Sequence, residues 1–348
     1  MSKVVLDIVR KKLDTKNERI PLKGVLELTS YCNFNCVHCF VDKKHNINNL
    51  NISRIYEIID ELESMGCLFL QLTGGECTLH PDFVKIYEYI VKKGILVTVS
   101  TNGCCINDEI ICSFSKYPPY KLVISLYGAN EGSYRKVVGK RNKFGKVLSN
   151  LNNLKACGII FKLNIILLKG NISCLDGMVE IANSLGVDCF IFYDLIDKLD
   201  KSSNRINRVP IDSQLYEKIN KINSIYIEKK RKVTIEDRAK ALNSSKGLYP
   251  CGAGHNSFQI NSEGLLSICS LQQGEKLSLK DKTFRELWSE LKSVREKKLK
   301  INKKCTLCKY ITYCDPCPIK YNLMNSDKYM CKIAKRKYLL NKFSRHTT

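Results

Sequence analysis

"GVLELTSYCNFNCVHCF", residues 24–40, decides the fold. Its first six residues are a short, mostly apolar run of the kind that forms a strand in a sheet covered by helices. Three cysteines follow at once: Cys32, Cys36 and Cys39, at a C-x3-C-x2-C spacing, with Asn33 and Asn35 between them in a turn-like stretch. A ligand-bearing loop directly after a first strand sits at the end of a barrel where active sites are built.

The same texture recurs downstream. "CLFLQLT" (67–73), "ILVTVS" (95–100), "KLVISLY" (121–127), "FKLNIILL" (161–168) and "DCFIFYD" (188–194) read as five more strands. Helical patterns lie between them at Ser53–Met65, Pro81–Lys92, about 107–115, Lys146–Cys157 and Cys174–Leu185. Ser53 is the expected N-cap of the first helix and Gly66 its end. Strands separated by helices fold as parallel βαβ units. Residues 23–196 are therefore predicted to form an α/β domain, a (β/α)6 barrel, open or closed.

Outside that span the character changes. Residues 1–22 alternate apolar and charged side chains and lack the apolar core and cleavage site of a secretory signal. Residues 197–250 read as a polar linker with a helix near Ser213–Lys230. Residues 251–331 open with "SFQINSEGLLSIC", a hairpin signal around Gly264, then a helical "TFRELWSE" and a cysteine-dense segment. Residues 332–348 are a basic tail. No run of eighteen apolar residues is present, so no membrane span is expected, and a cytoplasmic location is.

The chain has 18 cysteines and a formal net charge of +23. In a reducing compartment, clustered cysteines favour metal or cluster ligation over bridges. Eight of them, Cys67, Cys77, Cys104, Cys105, Cys112, Cys157, Cys174 and Cys189, are scattered and read as small buried apolar residues. The positive charge is spread along the whole chain beside many Asn and Ile residues. That reads as compositional bias, and a nucleic-acid partner is not expected.

A structural zinc at Cys32, Cys36 and Cys39 would want a fourth protein ligand, and His38 is squeezed between two of the cysteines. Three thiolates on a [4Fe–4S] cluster leave one iron open to a small molecule. With that loop, the chain resembles the radical S-adenosylmethionine (SAM) enzymes. The resemblance includes "TGGE", with Gly74, Gly75 and Glu76 at the end of the second strand. It implies a partial (β/α)6 TIM-like barrel and SAM whose amine and carboxylate fill the open iron position. Gly74, Gly75 and Glu76 would face the amine. Polar residues at the strand ends, Thr101, Asn102 and Ser125, and Asn164 in the fifth strand, would line the nucleoside pocket, with His38 against the adenine.

The C-terminal cysteines, Cys251, Cys269, Cys305, Cys308, Cys314, Cys317 and Cys331, together with "FRELW" (284–288), resemble the SPASM extension of such enzymes. This implies two auxiliary [4Fe–4S] clusters, three in all. Cys305, Cys308, Cys314 and Cys331 would hold the outer one, and Cys251, Cys269 and Cys317 the inner one. His255 or water completes the inner cluster, or its last position is open to substrate. Only Asp315 and Pro316 separate Cys314 from Cys317, a shorter spacer than the extension usually has. The C-x2-C spacings alone also fit four-thiolate zinc sites.

The implied chemistry is reductive cleavage of SAM to a 5′-deoxyadenosyl radical, which abstracts hydrogen from a substrate. That substrate is expected to be a ribosomally made peptide undergoing cross-linking, epimerisation or oxidation. One alternative is a small molecule or tetrapyrrole precursor; another is a non-catalytic zinc or electron-transfer protein. Expected partners are a reductant such as flavodoxin or ferredoxin and, given the short lead-in, a separate leader-peptide recognition protein. No general base is assigned, although Asp194 follows the sixth strand at the right end.

Overall fold

The computed structural model describes residues 19–39, 49–193, 207–210, 212–227, 252–272 and 274–296, with 308–310, 313–314, 317, 319, 331–332 and 334–339. Cys251, Cys305, Asp194, the lead-in up to residue 18 and most of the expected linker lie outside the described residues.

Six strands alternate with helices, as the sequence pattern predicts. They are β1 (Lys23–Thr29), β2 (Phe69–Gly74), β3 (Leu96–Thr101), β4 (Lys121–Leu126), β5 (Lys162–Ile166) and β6 (Asp188–Phe192). Around them run α1 (Ile52–Ser64), α2 (Phe83–Lys92), α3 (Asp108–Lys116), α4 (Glu131–Val138), α5 (Phe144–Ala156) and α6 (Leu175–Ser184), followed by α7 (Ser213–Ile227). All six strands pair in parallel, in sequence order. This is the mixed α/β architecture of a partial barrel.

Alternation divides each strand between two environments. Leu26 and Leu28 of β1, Leu70 and Leu72 of β2, Val97 and Val99 of β3, and Ile124 and Leu126 of β4 are buried beneath the helices. The opposite face carries Glu27, Gln71, Thr73, Ser100, Ser125 and Asn164 among apolar residues such as Val25, Val123 and Phe190, so polar groups are concentrated on that face. A helix-covered apolar face holds the fold together, and the polar face is left for ligands.

Beyond β1 the sheet continues. The strands β7 (Ser257–Ile260), β8 (Leu265–Ser267) and β9 (Leu277–Ser278) extend it to nine strands, in the order β6-β5-β4-β3-β2-β1-β7-β8-β9. The predicted hairpin forms as an antiparallel β7–β8 pair, but β7 lies parallel to β1 and shares its sheet. Gly24 explains how closely they sit: a Cβ there would meet the Phe258 ring at 2.2 Å. Phe258 in turn packs on Phe284 and Trp288 of α8 (Phe284–Glu296), with centroids 4.9 and 6.1 Å away. "FRELW" thus clamps the hairpin onto the barrel edge.

Three local expectations differ. The N-cap of α1 is Asn51, whose side chain accepts from the Ser53 N–H; Ser53 is already inside the helix. The helix α4 is absent from the sequence reading because its span is only eight residues, with no long apolar repeat. Among the scattered cysteines, Cys67, Cys77, Cys104 and Cys189 are buried as expected. Cys105 and Cys174 are half-buried, and Cys112, midway along α3, and Cys157, the C-cap of α5, are exposed.

Candidate active site

The cysteine loop leaves the C-terminal end of β1, and backbone contacts hold it on two sides. On one side, the Asn35 N–H donates to the Val138 carbonyl (2.8 Å) and the Val37 N–H to the Val137 carbonyl (3.0 Å), which fastens the loop to the end of α4. Gly139 follows at φ +65°, and a Cβ there would meet the Asn35 carbonyl at 2.8 Å. On the other side, the Gly75 N–H donates to Thr29 and the Glu76 N–H to Tyr31, each at 2.8 Å. A Cβ on Gly75 would lie 2.2 Å from the Tyr31 carbonyl oxygen. What presses against Gly74 in the structure is Thr29 at the end of β1, and against Gly75 the backbone of Ser30 and Tyr31 where the cysteine loop begins.

Glu76 is 2 % exposed and braces the strand ends. One carboxylate oxygen accepts from the Thr78 hydroxyl (2.7 Å), the Thr78 N–H (3.2 Å) and the Thr101 hydroxyl (2.6 Å); the other accepts from the Asn102 N–H (2.6 Å). Burial raises its pKa, and these donors oppose the rise. An ionised carboxylate has about four acceptor positions, so most of its capacity is taken by its own chain. Thr101 and Asn102 are buried in the same network. The Asn102 amide donates to the Asn33 side chain (2.8 Å), which carries the brace to the cysteine loop.

Ser125 and Asn164 stand side by side on the polar face, in register across β4 and β5, and both are half-buried. The His38 ring lies 5.3 Å from that of Tyr127. Gly74, Gly75, Glu76, Thr101 and Asn102 therefore gather at the ends of β2 and β3 beside the cysteine loop that carries His38; Ser125, near the end of β4, is bonded to Tyr127, and Asn164 lies in the middle of β5.

Several residues at this end escaped the sequence reading. Asn33 couples loop and brace, and its amide also donates to Cys105 Sγ at 3.3 Å. A hydrogen bond from Cys105 lowers the Cys104 thiol pKa below its usual range. Tyr127 and Tyr134 stand behind the loop: Tyr134 packs edge-on to Phe34 at 6.1 Å and to Tyr127 at 5.9 Å. Glu27, on the polar face of β1, accepts from the Gln259 amide of β7 at 2.5 Å, and burial raises its pKa. Within the first group only Asn33, set between the cysteines, had a local signal; Cys104, Tyr127 and Tyr134 lie far downstream of the loop and had none. For Glu27, an acid inside an apolar run was the signal.

Cys32, Cys36 and Cys39 are partly accessible, as cluster ligands must be at assembly. Among the described residues no three His, Cys, Asp or Glu side chains converge as they would on one metal ion. Thiolates bound to three different irons of one cluster need no such convergence. Beside them the Tyr134 hydroxyl is buried without a hydrogen-bond partner, a donor that an incoming group of sulfur acceptors would satisfy. The loop fits a cluster. Of the C-terminal cysteines that are described, Cys269, Cys308, Cys314 and Cys317 are half-buried and Cys331 is exposed.

Residues 26–182 match the radical SAM superfamily. The chain is 24 % identical to the AdoMet-dependent heme synthase of Methanosarcina barkeri (strain Fusaro / DSM 804), over 84 % of this chain and 89 % of that protein. It is 25 % identical to the antilisterial bacteriocin subtilosin biosynthesis protein AlbA of Bacillus subtilis (strain 168), over 92 % of this chain and 72 % of AlbA. In fold it resembles Streptococcus suis SuiB, solved with S-adenosylmethionine (TM-score 0.69, 18 % identity, 94 % and 82 % of the two chains) and with the precursor peptide SuiA (0.69, 17 %, 94 % and 79 %).

Proposed function

We propose, from the premise that this chain carries a radical SAM domain and is an enzyme of that superfamily, that it modifies a ribosomally synthesised peptide. The family uses a [4Fe–4S] cluster and SAM, and Cys32, Cys36 and Cys39 are the residues that would hold the cluster. Bound there, the pair supplies a 5′-deoxyadenosyl radical that takes hydrogen from carbon.

The chain's own residues do the rest. The backbone at Gly74 and Gly75 lies against the end of β1 and the start of the cysteine loop and would hold that loop in place for the cluster. Glu76, Thr101 and Asn102 hold the ends of β2 and β3 at that depth, and rigid positioning of reacting groups is where much of an enzyme's rate enhancement originates. Ser125 and Asn164 offer hydrogen bonds to a nucleoside on the polar face. His38 and Tyr127 offer a ring surface. Cys269, Cys308, Cys314, Cys317 and Cys331, with Cys251 and Cys305, would hold two auxiliary clusters.

The observation that carries the peptide reading is coverage. AlbA, named for bacteriocin biosynthesis, and SuiB, solved with a precursor peptide, both match across more than nine-tenths of this chain, barrel and hairpin together. Coverage by the heme synthase is also extensive and favours a tetrapyrrole as the second reading.

Anaerobic iron and sulfide quantitation, coupled to a 5′-deoxyadenosine assay with dithionite and SAM, tests the chemistry. The expected result is roughly twelve irons per chain, as three four-iron clusters require, and loss of deoxyadenosine on Cys32→Ala. Zinc without sulfide would sink the cluster assignment. Mass spectrometry of peptides encoded beside the gene, incubated with the loaded enzyme and SAM, decides the substrate. An unchanged peptide alongside a consumed tetrapyrrole would transfer the assignment to the second reading.

A further inference from the structure

Tyr134 projects from α4, the helix whose last carbonyls fasten the cysteine loop. Its side chain is 0 % exposed. The ring is wedged among Phe34 of the loop, Tyr127 after β4 and Phe144 at the start of α5, with centroids 6.1, 5.9 and 5.8 Å away. That packing leaves the phenol no freedom to swing toward solvent. Its hydroxyl nevertheless has no hydrogen-bond partner. A buried O–H left unmet costs the desolvation of that group with nothing to offset it, and native proteins rarely retain one without a use.

The surroundings indicate what would meet it. The ionisable groups that act on the phenol are Cys36 first, then Cys104, Glu76 and Glu131, and burial together with Cys36 pushes its pKa well above the usual tyrosine value. Glu76 is engaged by the brace described above. Glu131 accepts from the Asn142 and Phe144 N–H groups at 2.6 and 3.1 Å. Cys104 is occupied by Cys105. The neighbouring Tyr127 differs, because its hydroxyl is bonded to Ser125. Of the two phenols behind the loop, Tyr134 alone is left with an unused proton, and Cys36 is the largest charge acting on both.

We propose that the Tyr134 hydroxyl donates a hydrogen bond to a sulfur of the cluster held by Cys32, Cys36 and Cys39, and so raises that cluster's reduction potential. This inference rests on the cluster assignment above. A donor at a cluster sulfur withdraws electron density and favours the more negative, reduced state. Tyr134 is then a positioning residue acting through the cluster rather than on the substrate.

The test is an EPR-monitored redox titration of the full-length, anaerobically reconstituted protein, following the cluster whose signal changes when SAM is added. Tyr134→Phe removes only the oxygen; Tyr134→Leu also removes the ring. The expected result is full iron content in Tyr134→Phe and a potential more negative by about tenfold in the reduction equilibrium, 59 mV for a one-electron couple. An unchanged potential in Tyr134→Phe, with a shift only in Tyr134→Leu, would assign the effect to ring packing and overturn the proposal. Loss of iron in Tyr134→Phe would do so as well, because the hydroxyl would then serve assembly. A wild-type chain with no SAM-responsive cluster removes the underlying assignment itself, and iron analysis separates that outcome from the others.

Discussion

At the residue scale, the polar face of the barrel shows how one side chain reports on its setting. Glu27 sits inside an apolar strand, half-buried, and its carboxyl accepts a hydrogen bond from Gln259, itself 4 % exposed. Burial raises the Glu27 pKa, with Lys276 opposing. A glutamate whose native pKa exceeds its unfolded value, about 4.3, adds stability that is complete below that value and is lost as pH rises through the native one. Glu27→Gln keeps the acceptor and cannot ionise. The variant is expected to melt above wild type at pH 8, with the gap closing as pH falls toward the unfolded glutamate value; a gap independent of pH would contradict this. The motif residues Cys32, Cys36, Cys39, Gly74, Gly75 and Glu76 were legible because each is a rare type at a fixed spacing. Tyr134 was not legible, since an isolated Tyr carries no spacing signal, and Glu27 showed only as an acid inside an apolar run.

At the element scale, two pieces that look peripheral in the sequence position the site. The eight-residue α4 has a capping box between Asn130 and Ser133 and ends in a left-handed glycine, so its ends are defined without a long apolar face. Those defined ends put Val137 and Val138 carbonyls where the cysteine loop needs them. The β7–β8 hairpin was visible from its turn, but its attachment to β1 was not. Strand pairing between residues some 230 positions apart depends on Gly24 and Phe258, which only the folded chain brings together. Phe258→Ala is expected to cost about 3–5 kcal/mol in chemical denaturation, the usual cost of deleting a buried aromatic. Its neighbours Phe284 and Trp288 would then face a cavity. Unchanged stability would show that the hairpin is not held through this ring.

At the scale of the whole molecule, one nine-stranded sheet joins the barrel to the start of the cysteine-rich region, so cluster loading at the two ends can be separated by mutation. Cys308→Ala combined with Cys314→Ala is expected to lower the iron from roughly twelve to roughly eight per chain. It should also leave SAM cleavage to deoxyadenosine in place. Iron in the double variant unchanged from wild type would show that these cysteines do not hold an auxiliary cluster. By itself the sequence determined the alternation of strands and helices, the three-cysteine loop after β1 and the glycines opposite it. All of these are local periodicities or fixed spacings that the backbone must obey. Tertiary structure alone decided that the glycines admit the end of β1 and the start of the cysteine loop, that Glu76 spends its acceptors on Thr78, Thr101 and Asn102, and that the Tyr134 hydroxyl is buried without a partner. Those facts depend on which distant atoms share a few ångströms, and no single segment encodes that.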